Sequence, residues 1–128
     1  MPSMAVIPAR NESRTIGQIV KKVLNYVDEV IVVDDGSADN TSNEAEKAGA
    51  FIVKHAINLG KGAALKTGCD FAARRRATSI VVMDADGQHM PQDIPKFLNK
   101  LKEYDVVIGY RDYGKTMPVV FRIGNRII

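Results

Sequence analysis

Asp84 and Asp86, separated only by Ala85, directly follow the apolar run Ile80-Val81-Val82-Met83. Two carboxylates leaving a buried strand one residue apart can turn to the same side and share one divalent cation. Carboxylate oxygens are hard ligands that suit Mg²⁺ or Mn²⁺, and Mg²⁺ commonly bridges a few carboxylates to substrate phosphates. Gly87 lets the backbone turn sharply, and Gln88 or His89 can add a ligand. The plainer reading is a helix cap at Asp84 followed by an Asp-Gly turn. The complete hexapeptide, placed after four strand residues, favours the metal site.

A second acidic junction, Asp34-Asp35-Gly36-Ser37, follows Val30-Ile31-Val32-Val33. A carboxylate at a strand end can accept from a base N–H or a ribose hydroxyl, as in dinucleotide folds. Alone it could equally be a turn before the next helix, with Asp39 or Thr41 as cap; beside the first acidic junction it reads as a binding edge. Gly60-Lys61-Gly62 permits close backbone approach to a ligand or a helix. It lacks the dinucleotide fingerprint, since Leu65 stands where Gly or Ala belongs, and it has no Gly-Lys-Ser/Thr of a Walker loop. Lys61 can touch a phosphate or sit in solvent at a helix start, and the sequence does not separate these readings. His55 and His89 lack metal-ligand spacing, and His55 reads as a surface or hydrogen-bonding residue. Arg74-Arg75-Arg76 suits a helix C-terminus, with no interleaved aromatics for stacking nucleic-acid bases. Cys69 falls on an apolar helical stripe and reads as an inert core thiol.

These junctions need a scaffold, and the hydrophobic pattern supplies one. Residues 4–8, 30–33, 51–53, 80–83 and 106–109 read as strands. Between them, Ile16, Ile19, Val20, Val23, Leu24 and Val27 form one helical stripe, with Ser13 or Thr15 as its cap. Thr41-Ser42-Asn43-Glu44 has capping-box spacing and opens a short helix that Gly49 stops. Residues 62–73, with the small stripe Leu65, Gly68, Cys69 and Ala72, predict a helix lying close on a sheet. Ile94, Phe97, Leu98 and Leu101 mark another helix. The alternation predicts an α/β fold: a doubly wound, mostly parallel sheet with helices on both faces. In such sheets ligands bind beyond the carboxyl ends of the strands, where the acidic junctions lie.

Composition narrows the class. The 128 residues suit a single domain with one core, and their net charge is +3. Residues 1–108 carry 14 basic and 14 acidic side chains, while residues 109–128 carry four basic and one acidic. A basic excess confined to one end points to a phosphate or an anionic surface and away from nucleic acid. No apolar run is long enough to span a bilayer, and the start lacks a signal-peptide layout. A single cysteine fits a reducing, cytoplasmic compartment. The apolar, basic segment 117–128 reads as an interrupted helix that either meets an anionic lipid surface or packs in a core.

Val6-Ile7-Pro8-Ala9-Arg10-Asn11-Glu12, Val33-Asp34-Asp35-Gly36-Ser37, Asn58-Leu59-Gly60-Lys61-Gly62 and Asp84-Ala85-Asp86-Gly87-Gln88-His89 together resemble the family-2 glycosyltransferases of the GT-A fold. Within them the chain looks most like the dolichyl-phosphate mannose or glucose synthase branch. The resemblance implies an inverting hexosyl transfer from a UDP- or GDP-linked sugar, assisted by Mg²⁺ or Mn²⁺, to a polyprenyl phosphate. It implies a metal held by Asp84, Asp86 and Gln88, and a nucleotide held by Pro8, Arg10, Glu12, Asp34 and Asp35. Arg111 and Arg126 fall where such enzymes place arginines against the diphosphate, so Asp86 and Arg111 are the catalytic candidates. It also implies an acceptor-side region beyond this chain, a truncated single domain over residues 1–128, and peripheral contact with the cytoplasmic membrane face. An unfinished sheet edge would let the chain pair with itself.

Three rivals share parts of this pattern. A haloacid-dehalogenase-type phosphatase also places Asp-x-Asp after an apolar strand, near the start of its domain and with Thr or Val where Gln88 stands. A sugar nucleotidyltransferase would carry a glycine-rich loop in place of Pro8-Ala9-Arg10-Asn11-Glu12. A nucleotide-sugar-binding module without turnover would keep the same binding edge and lack the acceptor side.

Overall fold

The structure is a computed structural model and describes residues 2–86, 90–110 and 119–123. It falls into two compact units, Met1–Gln92 and Asp93–Ile128.

The first unit alternates β1 (Ser3–Ala9), α1 (Ile16–Val23), β2 (Glu29–Asp35), α2 (Thr41–Lys47), β3 (Phe51–His55), α3 (Lys61–Arg74) and β4 (Ser79–Val82). The four strands form one parallel sheet in the order β3-β2-β1-β4. Met4, Ala5, Val6 and Ile7 of β1 and Val30, Ile31, Val32 and Val33 of β2 are all fully buried. That continuous burial explains why these strands read as unbroken apolar runs, because both faces of the inner sheet are covered. α3 lies on one face, over Val6 and Val33, through Ala64, Gly68 and Ala72. An ideal Cβ built on Gly68 would stand 2.3 Å from Val6 Cγ1, so glycine is what allows the helix to come this close. α2 lies against β2 and β3 on the other face, with α1 packed on α2.

Helix ends depart from the sequence expectations in informative ways. Thr15 stands at the N-cap of α1, but its hydroxyl makes no capping bond and is directed elsewhere. The capping box at Thr41 does not form either. Asp39 Oδ1 accepts the Thr41 N–H at 3.0 Å, and Thr41 is the first residue of the helix. Arg75, at the C-terminal end of α3, forks onto both Glu29 oxygens at 2.8 and 2.9 Å and stacks 4.0 Å over Phe51. It ties α3 to β2 and β3 at the edge opposite the acidic junctions.

In the second unit, α4 (Ile94–Lys100) precedes β5 (Val106–Tyr110), which pairs antiparallel with β6 (Val119–Ile123). Two expectations are corrected here. The fifth strand joins a separate two-stranded sheet instead of extending the parallel one. The segment expected as an interrupted helix contains a strand over Val119–Ile123. Val119, Val120, Phe121 and Ile123 are β-branched or aromatic residue types enriched in strands.

Candidate functional site

The chain winds from β1 through β2 to β3, then crosses back to place β4 on the free side of β1. The sheet order therefore reverses between β1 and β4. A crevice opens beyond the carboxyl ends of strands at such a reversal, and ligands bind there. The last paired residues are Val6 and Val82, and the Met83 N–H still donates to the Val6 carbonyl at 3.1 Å. Two residues further along their strands stand Pro8 and Asp84, so the first acidic residue emerges at this reversal.

Alternate burial fixes the acid pair. Met83 and Ala85 are each 4 % exposed, whereas the Asp84 side chain is 26 % exposed and Asp86 is exposed. The Ala85 carbonyl accepts a hydrogen bond from Thr15 Oγ1 at 3.2 Å. A small buried residue, held by its backbone, thus separates two carboxylates that face water. Asp84 Oδ1 forms an ion pair with Lys61 Nζ, the first residue of α3, whose side chain is 60 % exposed. Lys61 accordingly stands at the acid pair, and the sequence alternatives of phosphate contact or free solvent are joined by a third.

Asp34 and Asp35 are both 5 % exposed. Asp34 accepts from the Ser37 N–H at 2.9 Å and from the Ser42 hydroxyl of α2. Asp35 faces the other side of the sheet. Its Oδ1 accepts from Leu59 N–H at 2.9 Å and His55 Nδ1 at 2.8 Å, and its Oδ2 from Gly60 N–H at 2.9 Å. His55 Nε2 meets Thr67 Oγ1 at 2.8 Å, bearing out the hydrogen-bonding reading of this histidine. Burial works against the Asp35 charge, but these donors outweigh it and hold the carboxyl below its ordinary value. Asp35 thereby organises the loop that presents Lys61 to Asp84.

The β1–α1 loop is stitched to the β2–α2 loop. Asn11 N–H donates to Ser37 Oγ at 2.9 Å, Asn11 Oδ1 accepts from Ala38 N–H at 2.8 Å, and Glu12 N–H donates to Thr41 Oγ1 at 3.0 Å. Asn11 has φ 55°, a region that asparagine tolerates better than most residues. Arg10 is left exposed beside this seam, Pro8 and Glu12 are half-buried, and Thr15 Oγ1 also approaches Glu12 Oε2 at 3.3 Å. A hollow of about 270 Å³ beside the seam is lined by Asp34, Ser37, Asn40, Ser42, Asn43 and Lys54, among others.

The structure thus pairs Lys61 with Asp84, two residues before the exposed Asp86, with Pro8, Arg10 and Glu12 on the neighbouring β1–α1 loop. Asp34 and Asp35 stand on the next strand with their oxygens engaged by protein donors. Gln88, Arg111 and Arg126 lie outside the described residues. Asn11, Thr15, Ser42 and Thr67 position the site and were not singled out for this from sequence. Their polar side chains make contacts distant in the chain, which no local spacing announces. Two carboxylate residues beside an ammonium group are suitable hard donors for Mg²⁺ or Mn²⁺. Among the described residues, no three or more His, Cys, Asp or Glu gather into a fuller ligand set.

A parallel sheet with an acid pair at its switch point is the layout of a GT-A-type α/β domain. The chain belongs to glycosyl transferase family 2, whose profile matches residues 4–127. It is 36% identical over 146 residues to UDP-N-acetylglucosamine–dolichyl-phosphate N-acetylglucosaminyltransferase of Methanococcus voltae, covering 94% of this chain and 57% of that protein. It is 31% identical over 118 residues to undecaprenyl-phosphate mannosyltransferase of Micrococcus luteus, covering 87% and 49%. Among solved structures it resembles glucosyl-3-phosphoglycerate synthase of Mycobacterium tuberculosis, solved with Mn²⁺, UDP and glucosyl-3-phosphoglycerate. That match has TM-score 0.61 and 28% identity, over 77% of this chain and 39% of the other. The chain spans about half the length of the curated relatives it matches.

Proposed function

We propose that this chain is the donor-binding part of an inverting, metal-dependent glycosyltransferase that passes a hexose from a nucleoside diphosphate to a polyprenyl phosphate. The observation that carries the reading is the acid pair at the β1/β4 switch point, with Asp84 already beside a cation. The acceptor class rests on relatives named for transfer of different sugars to polyprenyl phosphates. Such an acceptor implies contact with a membrane surface, which this reading places at the cytoplasmic face.

In this reading Asp84 and Asp86 hold Mg²⁺ or Mn²⁺, with Gln88 as a further ligand. The ion supplies Lewis-acid stabilisation of charge on the departing diphosphate. Lys61, Arg111 and Arg126 add positive charge around the same oxygens, which lowers the barrier to their departure. Pro8, Arg10 and Glu12 form the edge that receives the nucleoside, and Asp34 and Asp35, buried with their oxygens bound by protein donors, brace the loops beside it. The bond between the sugar's anomeric carbon and the diphosphate oxygen breaks as one to the acceptor phosphate oxygen forms on the opposite face. A phosphate monoester is largely ionised near neutral pH, with its second pKa about 6, so this acceptor needs no general base.

Calorimetric titration of UDP- and GDP-sugars, with and without Mn²⁺, tests the reading. Binding should require the metal, favour one of the two bases, and vanish in Asp86→Ala. Equal binding by Asp86→Ala, or binding indifferent to Mn²⁺, refutes the metal clamp.

A further inference from the structure

We infer that Lys61 is the resident counter-ion of the metal site, displaced from Asp84 when a divalent cation arrives and then available to the donor's phosphates. This rests on the reading of Asp84 and Asp86 as metal ligands. The geometry points to it from three sides. Lys61 Nζ is ion-paired with Oδ1 of Asp84, one of the two carboxylates that would hold the metal. The backbone carrying Lys61 is fixed, since Asp35 holds the N–H groups of both Leu59 and Gly60 and Gly60 leads directly into α3. The lysine side chain beyond that anchor is 60 % exposed, so its head group can move while its root stays in place.

Charge then dictates an exchange. Asp84 and Asp86 lie one residue apart, and nearby positive charge relieves the cost of keeping two carboxylates ionised together. A divalent ion does the same more strongly, but it repels an ammonium group on the same oxygen. Lys61 must therefore leave Asp84 as the ion enters. A flexible four-carbon stem gives it reach, and a diphosphate bound to the same ion is the adjacent acceptor for its positive charge. Binding of metal alone works against the Lys61–Asp84 pair, whereas binding of metal with nucleotide gives the displaced ammonium a new partner. The inference is thus that Lys61 couples the two, making metal affinity depend on the nucleotide.

The experiment titrates Mn²⁺ into the 128-residue chain, with and without UDP, reading Mn²⁺ affinity by calorimetry and by water-proton relaxation. Lys61→Met removes the charge at an exposed position, and Lys61→Arg retains it. An exposed ion pair of this kind predicts that Lys61→Met binds Mn²⁺ alone about two- to fivefold more tightly than wild type. The enhancement of Mn²⁺ affinity by UDP should shrink in Lys61→Met and persist in Lys61→Arg. If Asp84→Asn weakens Mn²⁺ binding but Lys61→Met leaves affinity and coupling unchanged, the counter-ion role is overturned while the metal site stands. If Asp84→Asn leaves Mn²⁺ binding unchanged, the metal site and the counter-ion role fall together.

Discussion

Asp34 and Asp35 are neighbours on β2, yet their carboxylates serve opposite faces of the sheet. Asp34 holds Ser42 on the α2 side, and Asp35 holds Leu59, Gly60 and His55 at the loop leading into α3. Strand geometry forces the divergence, because successive side chains point to opposite faces. One acidic dipeptide therefore braces two loops, and only Asp35 braces the loop that carries Lys61.

Replacing Asp35 by Asn keeps the shape but exchanges one accepting oxygen for a donor facing a backbone N–H. Leaving a buried donor unsatisfied costs about 1–3 kcal/mol. Urea denaturation should show Asp35→Asn destabilised by that amount, with a larger loss of UDP-and-Mn²⁺ binding than Asp34→Asn at matched stability.

Acid should destabilise the wild type in part through the same group. The folded Asp35 carboxyl lies below its ordinary value because backbone and His55 donors overcome burial. A depressed folded value adds stability above the unfolded pKa of about 3.9, and that stability is lost as pH falls through the folded value. The wild-type urea midpoint should therefore drop more steeply below about pH 4 than that of Asp35→Asn. Parallel slopes would contradict the assignment.

Thr15→Val removes the hydroxyl that bridges the β1–α1 loop to the Ala85 carbonyl while preserving volume. A hydrogen bond of this kind contributes about 0.5–1.5 kcal/mol. The variant should lose stability in that range and bind Mn²⁺ with UDP more weakly, since Ala85 is the anchor between the two carboxylates. An unchanged binding isotherm would show that the acid pair does not depend on this tether.

Gly68→Ala sets two effects against each other. Alanine favours helix over glycine by about 1 kcal/mol. Its Cβ would sit 2.3 Å from Val6 Cγ1 and 2.9 Å from Val33 Cγ2, two fully buried residues with stiff branched side chains. Overpacking costs about 1–3 kcal/mol, so a net lower urea midpoint is expected.

Gly36→Ala meets backbone instead of side chain. Gly36 has φ +75°, and an added Cβ would lie 2.6 Å from Asn58 N and 2.8 Å from the Ile57 carbonyl carbon. The conformation alone costs about 1–2 kcal/mol for a non-glycine residue, and the clash pushes the β3–α3 loop away. Lower thermal stability together with weakened Mn²⁺ and UDP binding is the expected result.

The sequence by itself determined the alternation of strands and helices, the two buried inner strands and the acidic residues that follow β2 and β4. Those features are local: apolar runs, helical periods and loop chemistry are written in neighbouring residues. The order β3-β2-β1-β4 was not local, because it depends on which side of β1 the fourth strand joins. Nor was the fate of the fifth strand, since an apolar run that can pair with β1 or β4 can pair equally with Val119–Ile123 once those residues are extended. The site divides the same way. Asp84 and Asp86 were legible as a candidate pair because they stand one residue apart after an apolar strand. That Lys61 pairs with Asp84, that Thr15 holds Ala85 and that Asp35 holds Leu59 and Gly60 required the tertiary structure. Each of these contacts joins residues more than twenty positions apart, and their geometry is set by the packing of the sheet and helices.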